Sequence, residues 1–408
     1  MRSDTRCPVV LDPVGTDIHA EGARIRANGP VSQVELPGGV RAWSVTGYEV
    51  AQQILGDQRF SKNGRLHWTE FAEGRVGDDF PLIGWILMDN LTTAYGKDHS
   101  RLRRPCPSAF TPRRVEALRP SVEKVTQELL DALDATAPGE VVDLKALFAH
   151  PLPAAVICDL FGVPAEDRLA MLHGGEVNVD TSITPEEAAA NVAAWHQLML
   201  DFVQQKRENP GSDLTTDLVL AEDEDGNPAL SDSEMVGTLH IMLATGTEPV
   251  KNLIANTVLL LLTHPEYLQR VKDGELTWPE VVQESVRVEA PVAHLPFRFA
   301  VEDVQIGDVT IPKGEPVLMN YAALGRDPER YPDPDVFDPF RADKEHLSFG
   351  AGIYRCIGRP LALMEAEIAL SSLFERFPGL RLAVPREEIE SQQTFIMNGV
   401  DTRPVVIR

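Results

Sequence analysis

Apolar residues recur every three or four positions through Val115, Leu118, Val122, Val125, Leu129 and Leu133, a single stripe that predicts an amphipathic helix. Val192, Trp195, Met199 and Phe202 repeat the pattern. From Asp232 to Thr263 the stripe widens until the segment is apolar nearly all round, through Ile241, Met242, Leu243, Leu253, Ile254 and the run Val258–Leu262. A helix without a polar face belongs in the middle of a protein, so this one is expected to be central. Pro360 followed by Leu361, Met364 and Ile368 predicts a second buried helix with its proline in the first turn. Strand signals are fewer. Val40–Val45 is one; Val304, Ile306, Val309 and Ile311, then Val317 and Met319, predict a hairpin with turns at Gly307-Asp308 and Lys313-Gly314. The fold expected is mainly α with small β-sheets.

Gly325–Arg341 carries four prolines and fits neither helix nor sheet interior. Its Tyr331, Phe337 and Phe340 argue for a packed loop. No linker or repeat interrupts the 408 residues, so one domain over 1–408 is expected. An excess of 62 Asp and Glu over 38 Lys and Arg, net charge -24, argues against sequence-independent nucleic-acid binding, which neutralises phosphates. Met1–Gly15 has no apolar core of a signal peptide, and the apolar runs fall short of the ~18 residues that span a bilayer. A soluble, cytoplasmic monomer without membrane contact is expected. The acidic stretch Glu222–Gly226 reads as a solvated turn, because Ala221 would fall at the first ligand position of a calcium loop.

Four cysteines, Cys7, Cys106, Cys158 and Cys356, lie far apart with no Cys-x-x-Cys pair, which excludes zinc ribbons and a disulfide framework. Cys356 differs from the rest. It follows Phe349-Gly350-Ala351-Gly352-Ile353-Tyr354-Arg355 and precedes Ile357-Gly358 just before the Pro360 helix. Glycines let backbone approach a flat partner, and a helix N-terminus flanked by Arg355 and Arg359 favours a thiolate. The residues alone leave a metal-binding thiolate, a nucleophile and a buried structural cysteine open.

The segment Phe349–Gly358 resembles the haem-binding loop of the cytochrome P450 monooxygenases, Phe-Gly-x-Gly-x-His/Arg-x-Cys-x-Gly. Further matches follow in order along nearly the whole chain. Asp98–Arg104 resembles the family's helix on the haem propionate side, and Glu284-Ser285-Val286-Arg287 its Glu-x-x-Arg. Arg298–Val304 and the hairpin after it resemble its bacterial β-region, and Phe337-Asp338-Pro339-Phe340-Arg341 its Pro-rich meander. The resemblance implies the cytochrome P450 fold, with haem b (iron protoporphyrin IX) buried between the central helix and the Cys-loop helix. Cys356 is then the axial ligand of the haem iron, where a thiolate favours O–O cleavage, within a loop shaped by Phe349, Gly350 and Gly358. His99, Arg103 and Arg298 are implied as propionate contacts, and Glu284, Arg287 and Arg341 as a buried structural ion network. Met242, Leu243, Val292, Leu295, Phe395 and Met397 are implied at the substrate pocket, along with the variable Leu66–Leu91 and Leu172–Trp195 regions.

The chain departs from the family pattern twice. Tyr354 replaces the usual His or Arg two residues before the cysteine; a phenol can donate one hydrogen bond to a propionate but brings no charge. In the central helix the family carries a Gly, then an acid and an alcohol side by side over the oxygen-binding face. Here the sequence is Thr245-Gly246-Thr247-Glu248-Pro249. Glycine and acid are present, but proline stands where the alcohol should be. Thr245, four residues back and ~40° around the helix, is the substitute expected on the same face; Thr247, ~200° away, faces elsewhere. The implied function is oxygen insertion from O2 into a small hydrophobic substrate of the secondary-metabolite class. Electrons would come from NAD(P)H through ferredoxin reductase and ferredoxin, the latter met by Arg103, Arg104, Arg113, Arg114 and Arg359. Pro249 keeps a redox-neutral isomerase or cyclase of a polyunsaturated substrate as the alternative, and a haem or ligand carrier without turnover as the third.

Overall fold

The computed structural model describes residues 7–77, 80–106, 110–177, 184–223 and 225–408. The side chain of Val192, part of the Leu172–Trp195 region and Glu224 of the acidic stretch lie outside this description.

The central helix is Asp232–Thr263. Ser231 starts it with a capping box, accepting from the Glu234 N–H while the Glu234 carboxylate accepts from the Ser231 N–H. It packs against the helices Pro151–Phe161, Arg168–Val177, Pro185–Glu208, Trp278–Val288 and Arg359–Arg376. Pro249 sits inside it and the helix continues past. The first stripe forms the helix Pro112–Asp134, which buries Val115, Val122, Leu130 and Leu133 and lies on Arg359–Arg376. Among the described residues no helix is long and apolar enough to cross a membrane.

A six-stranded sheet runs in the order Val9–Val10, Val31–Glu35, Arg41–Val45, Pro316–Asn320, His294–Ala300, Phe60–Ser61. The hairpin Val304–Ile306 with Val309–Ile311 forms separately. The segment holding Val317 and Met319 does not extend that hairpin. It pairs parallel to Arg41–Val45 and antiparallel to His294–Ala300, because five successive buried residues suit a sheet centre covered on both faces. His294–Ala300 carries a register irregularity between Leu295 and Arg298. The strand predicted at Val40 begins at Arg41, since the Val40 carbonyl closes a turn with Leu36.

The Pro-rich stretch Gly325–Arg341 is a packed loop, with Tyr331 and Phe337 buried. Phe340 is instead 49% exposed. The acidic stretch is a turn in which Asp223 accepts from the backbone N–H groups of Asp225 and Asn227.

Candidate active site

Two glycines with positive φ, Gly350 at +69° and Gly352 at +67°, turn the loop before Cys356. A Cβ on Gly352 would also stand 2.7 Å from the Leu55 carbonyl oxygen. The Cys356 N–H closes the loop by donating to the Phe349 carbonyl at 2.9 Å. Its sulfur faces a cavity and meets the backbone N–H groups of Gly358 and Arg359 at the start of the helix Arg359–Arg376. Burial pushes the thiol up; those two amides and the guanidiniums of Arg103 and Arg359 pull it down. Burial is the larger effect. A metal cation at the sulfur would act with those amides and guanidiniums to favour the thiolate.

The cavity holds about 1830 Å³ of space, its mouth included. Phe349, Gly350, Cys356 and Gly358 form one side, Thr245, Gly246 and Pro249 of the central helix another. Gly246 is where the neighbouring helix comes close, as a Cβ there would lie 2.6 Å from the Ile157 side chain.

At one end of the cavity cations gather without anions. Arg298 is buried, lies over the Tyr354 ring at 5.0 Å, and pairs with no acidic side chain among the described residues. Arg103 donates to the Arg355 carbonyl at 2.5 Å and also lines the cavity. His99 is buried with its ring 4.2 Å from that of Tyr354, and its Nε2 has no hydrogen-bond partner among the described residues. Burial, then Arg103 and Arg298, push it down to about 4, so it is neutral. The Tyr354 hydroxyl donates to the Ala94 carbonyl at 2.7 Å, which commits the one proton that sequence reasoning assigned to a propionate. A thiol open to the cavity below, unpaired cations at one edge and apolar walls fit a flat, dianionic, iron-bearing group such as haem.

Glu284 and Arg287, both fully buried, pair through two hydrogen bonds of 2.8 and 2.7 Å. Arg287 also donates to the carbonyls of Gly325, Pro334 and Val336. Arg341 reaches Glu284 at 3.3 Å and the carbonyls of Pro332 and Asp333. The three residues join the helix Trp278–Val288 to the Pro-rich loop. Ser348 continues the link, donating to the Val286 carbonyl at 3.0 Å one residue before Phe349.

On the central helix Thr245 and Pro249 face the cavity, whereas Thr247 and Glu248 do not line it. The Thr245 hydroxyl donates to the Ile241 carbonyl at 2.5 Å and the Thr247 hydroxyl to that of Leu243 at 3.1 Å. Buried Glu248 pairs through Oε1 with Lys251, while Oε2 has no partner among the described residues.

Of the substrate residues named from sequence, Met242, Val292 and Leu295 line the cavity. Leu243, Phe395 and Met397 do not. Leu243 is one step around the helix from Met242 and packs into the helical core. Phe395 and Met397 pack with Phe297 and Phe299 in a second apolar cluster, and Met397 pairs with Val292 by a lone bridge. Sequence reasoning missed Lys62, Thr92 and Glu365, which also line the cavity. Lys62 follows an edge strand and reads in sequence as an ordinary surface lysine. On the Cys-loop side, Arg103 is turned to the cavity and Arg114 pairs with Asp217 at 2.8 Å, so neither is a free docking charge. Arg113 and Arg355 are exposed there.

The profile of the Cytochrome P450 family matches residues 278–400. The chain is 48% identical over 403 residues to 2-hydroxy-5-methyl-1-naphthoate 7-hydroxylase of Streptomyces carzinostaticus, covering 98% of each. It is 38% identical to cytochrome P450 monooxygenase PikC of Streptomyces venezuelae, covering 98% of this chain and 95% of that one. Among solved structures, CYP154A1 from Streptomyces coelicolor A3(2) superposes with a TM-score of 0.93 at 43% identity, over 98% of this chain and 100% of that one.

Proposed function

This chain belongs to the cytochrome P450 family, a class I bacterial monooxygenase with haem b as its cofactor, and we propose that it hydroxylates a hydrophobic aromatic metabolite held between the central helix and the Cys356 loop. One feature supports this most directly: the wall contributed by Ile241, Met242, Pro291, Val292, Leu295 and Pro296 is apolar, with the cations confined to the Tyr354 end. The 48% identical relative is named for hydroxylating a naphthoate. The working unit is residues 1–408 as a single domain in the cytoplasm. Reductase-fed ferredoxin meets it at Arg113, Arg355 and Arg359.

Haem b, when bound through Cys356, supplies the reductive activation of O2 that inserts one oxygen atom and releases the other as water. The chain's own part is to hold the substrate against that face and to deliver protons there. Pro249 has no side-chain hydroxyl, so the nearest protein hydroxyl on its face is that of Thr245. Pro249 also has no N–H for the Thr245 carbonyl, which leaves an acceptor beside that hydroxyl. Glu248 holds its charge against Lys251, away from the cavity, and must turn to pass a proton. Delivery is accordingly slow relative to reduction. With a converted substrate, product formed per NAD(P)H rises several-fold in Pro249→Thr and falls several-fold in Thr245→Val. Unchanged coupling in both variants removes Thr245 from the relay.

Pro249 also favours a second reading, a redox-neutral isomerisation or cyclisation that needs no such relay. One experiment separates the two. 2-Hydroxy-5-methyl-1-naphthoate and a polyketide macrolactone are each incubated with the protein, with and without ferredoxin, ferredoxin reductase, NADPH and O2. The hydroxylase reading expects oxygenated product from the aromatic compound only in the complete mixture. Product of unchanged mass in the absence of reductant or O2 establishes the redox-neutral reading instead.

A further inference from the structure

We propose that Lys62 is a third propionate-binding cation, which supplies at the Tyr354 end of the cavity the positive charge that Tyr354 lacks. The inference rests on the haem reading of the site and adds to it a residue outside the family's motifs. Lys62 follows the edge strand Phe60–Ser61, which pairs Phe60 with Ala300 and Ser61 with Phe299, next to Arg298. Asn63 then caps the following turn, its side chain accepting from the Leu66 N–H at 3.1 Å. Backbone held on both sides fixes where Lys62 leaves the chain. Its ammonium donates to the Pro296 carbonyl at 3.2 Å and borders the same cavity as Arg298, Arg103 and Tyr354.

No carboxylate pairs with Lys62, Arg298 or Arg103 among the described residues. Three cations therefore line one cavity without an acidic partner, and such a cluster is costly unless an anion joins it. Burial first, then the charge of Arg298, push Lys62 down to about 7. Two propionates satisfy this arrangement. Tyr354 does not share the task by donation, because its hydroxyl is committed to Ala94; its ring holds Arg298 and His99 in place instead. The carboxylate of a substrate is the other anion with the right chemistry, and the test distinguishes it from the propionates.

The test is haem release from the ferric holoprotein to excess apomyoglobin, for protein reconstituted with haem b or with haem dimethyl ester, which lacks the two charges. Wild type, Lys62→Gln and Lys62→Arg are compared without substrate. Lys62→Gln is expected to release haem b about tenfold faster than wild type, the size of one lost charge-assisted hydrogen bond. It should release the dimethyl ester no faster than wild type does, and Lys62→Arg should restore most of the retention. Equal release of haem b from Lys62→Gln and wild type overturns the proposal. Faster release of both haems, or an apoprotein that melts at lower temperature, marks a lysine that holds the Pro296 strand and also overturns it. In either case the thiolate–carbon monoxide spectrum of wild type still reports on the haem reading separately.

Discussion

Cys356→Ser and Cys356→His each abolish the red-shifted Soret band of the reduced, carbon monoxide-bound protein, while Cys7→Ser, Cys106→Ala and Cys158→Ala keep it. The contrast follows from surroundings. Cys7 is exposed outside the cavity, and Cys106 and Cys158 are buried among apolar side chains. Burial pushes Cys106 up to about 12 and Cys158 to about 11; the Cys106 thiol donates to the Leu102 carbonyl at 3.4 Å. Neither can offer a thiolate. Cys356 alone among them lines the cavity, where two amides and two guanidiniums offset part of its burial. Serine offers a hard, far more basic oxygen there, and histidine a neutral nitrogen; neither supplies the electron donation of a thiolate. The spectrum of each purified variant decides the matter. A band at the thiolate position in Cys356→Ser would sink the assignment.

The parts of this protein legible in its sequence are those encoded by neighbours along the chain. The loop before Cys356 needs glycine at two left-handed positions, and those glycines stand next to the cysteine they position. The central helix announces itself through a run of residues apolar nearly all round. Helix geometry likewise places Thr245 and Pro249 on one face and Thr247 on another. The cavity wall is different, because it is assembled from single residues on distant segments. Lys62, Thr92 and Pro296 carry no local mark of their partners. In a regular strand alternate residues share a face, yet Leu295, Pro296, Phe297 and Arg298 all border the cavity. The irregularity between Leu295 and Arg298 allows this, and it lies in the pairing with Pro316–Asn320 rather than in any local pattern. Phe395 and Met397 lie outside the cavity lining for the same reason: nothing in their neighbours along the chain tells which residues border the cavity.

Arg287→Ala yields a protein that is destabilised by about 3–5 kcal/mol and does not retain haem. The reason is what the substitution leaves behind. Glu284 has no solvent exposure, and with Arg287 gone only Arg341 and the Asp338 N–H, among the described residues, remain bonded to its carboxylate. Three carbonyls of the Pro-rich loop, those of Gly325, Pro334 and Val336, lose their donor in the same step. That loop leads to His346 and Ser348, which are tied to Gln283 and Val286 of the helix carrying Glu284, and two residues on lies Gly350. Loosening the network therefore reaches the turn that aims Cys356. Arg287→Lys recovers little, because one ammonium cannot make two bonds to a carboxylate and also span three carbonyls in a plane. Removing both charges, as in Glu284→Gln with Arg287→Met, leaves no stranded carboxylate, only Arg341 with its carbonyl partners, and costs less stability than Arg287→Ala alone. It still lacks the bridge to the three carbonyls, so it gains stability without recovering full haem content. Urea unfolding of the apoproteins and the haem-to-protein ratio of the purified proteins measure the two effects separately. Full haem occupancy in Arg287→Ala would show that the Cys356 turn holds its shape without the network.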